Sequence, residues 1–115
     1  MLNLSELRIL AYELIPAGTD GCYLGVAIEL TKHDPPLWAI RSGKDVLSKE
    51  PLSTHYHFYR ELLPSNRDAD YLDRHRFASA EEAAEFWETH RSKIIATVKD
   101  RFAYKEHLLR EKLNA

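Results

Sequence analysis

The sequence predicts an α+β fold: an antiparallel β-meander of four or five strands with a long C-terminal helix packed on one face. Three observations carry this. Apolar residues alternate with a period of two as far as about residue 62, and recur every three or four residues after residue 79. Ser79 stands between the two regimes with Glu82 three positions on, the spacing of a capping box in which hydroxyl and carboxylate each satisfy an orphan amide. Neither glycine nor proline follows Ser79, so nothing in the sequence breaks the helix once it has begun.

Taken in order, residues 8–15 read as a first strand, and the turn-forming run 16–21 follows it. Residues 21–31 give the clearest alternation. Cys22, Leu24, Val26, Ile28 and Leu30 share one face, and Tyr23, Gly25, Ala27, Glu29 and Thr31 the other, the pattern of a sheet with one wet face. His33-Asp34-Pro35-Pro36 reads as a turn, because neither proline can donate to a ladder. Residues 37–42 form a short third strand with Trp38 and Ile40 on one face, and Gly43-Lys44-Asp45 turns again. Residues 54–62 form an aromatic strand, with Tyr56 and Phe58 on one side and His55, His57 and Tyr59 on the other.

A polar loop over 64–70 leads into one helical turn through Tyr71 and Leu72. Asp70–Arg74 and Asp73–Arg76 are spaced as surface ion pairs of that segment. The long helix then covers residues 79–113. Ala83, Trp87, Ile94, Val98 and Phe102 fall close to one stripe, which should face the sheet. Such a helix is roughly 50 Å long, whereas a ten-residue strand spans about 34 Å. The helix should therefore overrun the sheet and leave Leu108, Leu109 and Leu113 as an apolar patch beyond the core.

The chain has 115 residues, enough for one domain, with 1–78 mainly β and 79–113 helical. With 44% hydrophobic and 30% charged residues it has the composition of a soluble globule rather than of a disordered chain. No apolar run reaches the roughly 20 residues that span a bilayer, and Met1 to Glu6 has no basic region of the kind that opens a signal peptide. The single cysteine, Cys22, has no internal disulfide partner, which fits a cytoplasmic location. A net charge of −2 argues against a general nucleic-acid coat. Charge is nonetheless segregated along the helix: 79–90 holds four glutamates and no base, and 91–115 holds seven bases against Asp100, Glu106 and Glu111. That order opposes the helix macrodipole and offers a basic end to an acidic partner.

No nucleophile elbow, phosphate-binding loop or dinucleotide fingerprint is present, so no catalytic residue is assigned and no cofactor is expected. His55 and His57, two apart on a strand, share a face at about 7 Å and could reach one metal ion, although alternation alone also explains them. Arg67, in the proline-led loop, is placed to address a ligand or to anchor the loop to the sheet.

Four segments carry a resemblance over residues 37–87: Leu37-Trp38-Ala39-Ile40-Arg41, Val46-Leu47-Ser48-Lys49, Glu61-Leu62-Leu63-Pro64-Ser65-Asn66-Arg67-Asp68, and Arg76-Phe77 with Glu82-Ala83. Together they resemble small uncharacterised proteins carried by phages, plasmids and other mobile elements. The resemblance implies no activity. The expectation is a non-catalytic binding or assembly module of a mobile genetic element, acting on a protein partner or as a homodimer through Arg67, Leu108, Leu109 and Leu113. The alternatives are a nucleic-acid-binding domain using the sheet or the basic helix end, with Arg60, Arg67, Arg74 and Arg76 among aromatics, and a metal-dependent activity at His55 and His57.

Overall fold

The computed structural model of the protein describes residues 11–16, 18 and 25–114, with side-chain surroundings as far as Thr97. Strands β1 (Ala11–Ile15), β2 (Val26–His33), β3 (Pro36–Ser42), β4 (Asp45–Leu47) and β5 (Phe58–Arg60) pair with their sequence neighbours, all antiparallel. A 3-10 turn (Pro64–Asn66), a short helix α1 (Ala69–His75) and the long helix α2 (Ala80–Asn114) follow. The fold is thus the α+β meander that the sequence predicts, in its five-strand form.

The first face of the sheet carries the main core. Ile15, Val26, Ile28, Ile40, Leu47 and Phe58 alternate inward, and Ala83, Trp87 and Ile94 of α2 close over them, with Tyr56 and Phe77 filling the gap between sheet and helix. Ser79 Oγ accepts from the Glu82 amide at 3.0 Å, and Glu82 Oε2 accepts from the Ala78 amide at 3.1 Å. The helix therefore starts at the capping box, with the carboxylate reaching one residue further back than the simplest form of that motif. Phe77 and Trp38 exchange backbone hydrogen bonds of 2.8 and 2.7 Å, which fixes the approach of α2 to the sheet. Helix α2 continues through Val98, Phe102, Leu108, Leu109 and Leu113, whose side chains lie outside the described residues, as do Cys22, Leu24 and residues 8–10.

Several sequence expectations are corrected. The turn after β2 is only Asp34–Pro35, because His33 pairs with Pro36, which opens β3. A missing amide is tolerated at the first residue of a strand. Asp45 likewise begins a strand rather than ending a turn; Gly43, at φ +61°, makes the reversal tight enough for β4 to pair at once with β3. The aromatic strand contracts from 54–62 to Phe58–Arg60, since Leu52 and His55 close a small turn and the Tyr56 amide donates to the Lys93 carbonyl of α2 at 3.4 Å.

One correction matters most for function: the second face is not simply wet. Ala39 and Val46 are buried on it beneath Tyr71, with Leu72 packed alongside. The segment expected to make one helical turn makes the two turns of α1, because Asp68 caps it by accepting from the Tyr71 amide at 2.8 Å. Arg76 leaves the helix in extended conformation (φ −132°, ψ 152°), which breaks the expected spacing to Asp73. Arg74 Nε donates to the Asp70 carbonyl at 3.3 Å instead of pairing with its carboxylate.

Candidate functional site

Alternation on the second face places Glu29 and Thr31 of β2 beside Arg41 of β3, and the chain leaves β5 at Glu61 on the same side. Helix α1 closes this ground from above. Arg41 Nη2 donates to Glu61 Oε1 at 2.6 Å, Arg76 Nη2 donates to the same oxygen, and Arg67 Nη2 lies 3.5 Å from it. The Tyr71 hydroxyl donates to Glu61 Oε2 and accepts the Leu62 amide at 3.1 Å. Glu61 is therefore a hub joining β3, the 61–67 loop, α1 and the strand-like segment before α2.

The outer ring of contacts locks the hub. Arg76 Nε donates to Thr31 Oγ1 at 3.1 Å and its Nη1 to the His75 carbonyl at 3.0 Å, with the Arg76 side chain only 2% exposed. Arg41 Nη1 reaches Glu29 at 3.4 Å, and Arg67 Nε donates to the Leu62 carbonyl at 2.8 Å. Burial alone would raise the Glu61 carboxyl. Hydrogen bonds from Tyr71, Arg76 and Arg41 outweigh it and hold the pKa down at about 2, against 4.5 for the free group. Burial, aided by the bond to Glu61, pushes the Tyr71 phenol up.

Against the outer side of Tyr71 lies a cleft of about 370 Å³, lined by Ser48, Glu50, Pro51, Leu52, Tyr59, Arg60, Leu62, Tyr71, Arg74 and His75. His75 is 6% exposed and stacks on Tyr71 with ring centroids 4.2 Å apart. Its Nδ1 is 2.8 Å from the Tyr71 carbonyl. A carbonyl only accepts, so Nδ1 carries the proton and Nε2 is left as the acceptor of a neutral ring. Burial pulls the His75 pKa below its ordinary value, partly opposed by that carbonyl. The Ser48 hydroxyl, also buried, accepts the Glu50 amide at 3.2 Å and keeps its own proton to donate.

The structure treats the sequence candidates unequally. Arg67 anchors its loop through Leu62 and Glu61. Arg67 and Arg76 both turn inward, whereas Arg60 and Arg74 line the cleft. His55 is exposed in the small turn, with Nδ1 3.0 Å from Thr54 Oγ1, and His57 is half-buried near Tyr59, so the two do not share a regular strand face. Among the described residues no cluster of three or more histidine, cysteine, aspartate or glutamate side chains is poised to hold a metal ion. Replacing His55 and His57 together by glutamine should change stability by no more than about 0.5 kcal/mol. Zinc or nickel should shift the melting temperature of neither protein beyond a chelator control. A metal-dependent rise in the parent alone would restore the pair as ligands.

Sequence reading missed Glu61, Arg41, Tyr71 and His75. No local spacing links them, since Arg41 and Glu61 are 20 positions apart and Arg76 and Thr31 are 45. Three separate segments, around Arg41, Arg67 and Arg76, each deliver a guanidinium to this one carboxylate. Compared with known proteins, the chain matches no family model, no curated protein and no solved structure.

Proposed function

We propose that this protein is a non-catalytic binding module of a mobile genetic element, acting in the cytoplasm and holding a protein partner at the cleft between α1 and β5. One observation carries the reading. Five large apolar side chains are exposed among the described residues, and three of them, Leu52 (63%), Tyr59 (45%) and Leu62 (41%), line the cleft, with Leu63 (68%) next to Leu62 in the chain. Clustered apolar exposure rimmed by charge is the composition of a protein-binding surface. The hub beneath it supports binding rather than turnover, because Glu61 is held ionised by fixed donors and Tyr71 is committed to it. A cleft whose floor is already ordered loses little conformational entropy on association.

A photo-reactive amino acid at Leu52, with a second placed at the exposed Glu13 of β1 as control, tests this in host cells. The expected result is a discrete protein adduct from position 52 and none from 13. An adduct of twice the chain mass identifies a second copy as the partner, whereas equal labelling from both positions would remove the cleft as the binding surface.

A further inference from the structure

The cleft also carries a statement about what its partner must present. Arg60 and Arg74 both line it, and among the described residues neither forms an ion pair; Arg74 is tied only through Nε, to a backbone carbonyl. Glu50 is the one acid in the lining. In a chain of net charge −2 this is a local positive excess, and the adjoining hub adds Arg41, Arg67 and Arg76 against Glu61 and Glu29. Such a field draws an anion to the mouth of the cleft. His75 also lines the cleft, and with its proton on Nδ1 its Nε2 can only accept, so a ligand that brings a hydrogen-bond donor as well as negative charge is matched there. Leu52, Pro51 and Leu62 add an apolar wall.

We propose that the cleft recognises an acidic residue within an apolar stretch of a polypeptide. The partner's carboxylate meets Arg60 and Arg74, its apolar neighbour packs on Leu52 and Leu62, and a backbone amide donates to His75 Nε2. A nucleic-acid backbone fits less well. Its phosphodiesters have no proton to donate to His75. This inference rests on the cleft being the binding surface.

Two selections on the immobilised full chain test it, one with a random dodecapeptide display library and one with a pool of random single-stranded DNA. The expected outcome is enrichment of peptides with Asp or Glu beside Leu, Ile or Phe. Their binding should fall roughly tenfold for each of Arg60→Gln and Arg74→Gln, the scale of one charge-assisted hydrogen bond. Both arginines are exposed, so the variants should melt with the parent. In a bound complex the 15N resonance of His75 Nε2 should move towards its hydrogen-bonded value. Peptides lacking acids, or indifferent to both arginine changes, would overturn acidic recognition while leaving the cleft as the binding surface. Enrichment of DNA alone would replace the partner by a nucleic acid. No enrichment in either selection overturns the proposal, and if photo-crosslinking at Leu52 is also silent, the cleft reading falls with it.

Discussion

Glu61→Gln should destabilise the protein by about 3–5 kcal/mol, the cost of removing one partner from a buried ionic group. The side chain is 10% exposed and both oxygens are engaged, so the amide would set its own N–H donors against those of Arg41, Arg76 or Tyr71. Three guanidiniums would then face each other with only the half-exposed Glu29 to offset them. By contrast, Arg67→Gln removes a contact of 3.5 Å at the edge of the hub and should cost on the order of 1 kcal/mol. Urea melts of the two variants and the parent give the comparison directly. Equal losses would mean that the hub is not centred on Glu61.

The same residue fixes the sign of the acid response. Glu61 has its pKa lowered in the fold, so the unfolded chain takes up its proton first. The stabilisation is complete above the free value of 4.5 and disappears as pH falls towards 2, with on the order of 3 kcal/mol at stake. His75 adds to this from higher pH. Burial keeps it neutral in the fold, while the unfolded chain protonates it below its ordinary 6.5, so stability already declines as pH falls through that value. In the Glu61→Gln variant the step below pH 4.5 should flatten while the His75 contribution stays. A variant that retains the full acid transition would assign it to other carboxylates.

Trp87→Ala should cost a similar 3–5 kcal/mol, for a different reason. Trp87 is 3% exposed and belongs to the cluster in which α2 meets Val26, Ile28, Ile40 and Phe58. Truncation forfeits the transfer energy of the indole and leaves a cavity that the sheet, held by its own ladder, cannot fill. Because a domain of this size is stabilised by only about 5–15 kcal/mol in total, the variant should unfold at clearly lower denaturant with little change in slope. If it melts with the parent, α2 does not close the core as the structure shows.

What the sequence by itself determined is what depends on local period and local hydrogen bonding. The two-residue repeat of Val26 and Ile28 and the inward set of Ala83, Trp87 and Ile94 declared the main core, because burying one face of each element leaves only one way to stack them. Ser79 and Glu82 declared the start of α2, since a cap needs only its own turn. The Tyr56 and Phe58 alternation named the buried residues correctly but overstated the strand, because aromatic pattern reports burial and not pairing; the Tyr56 amide went to a helix carbonyl that no strand reading could anticipate.

Only the tertiary structure decided how the second face is used. Asp68 and Tyr71 look like ordinary loop and helix residues until α1 lands on Ala39 and Val46 and brings Tyr71 to Glu61. The expected surface pair of Asp73 and Arg76 was a sound local inference, but a buried carboxylate offered Arg76 a partner in a low-dielectric setting, and charge pairs there outweigh exposed ones. Glu61, a single acid after an aromatic run, has no periodicity to mark it. Its role follows from three arginines that approach from separate segments and meet only once the chain has folded, and the cleft beside it exists for the same reason.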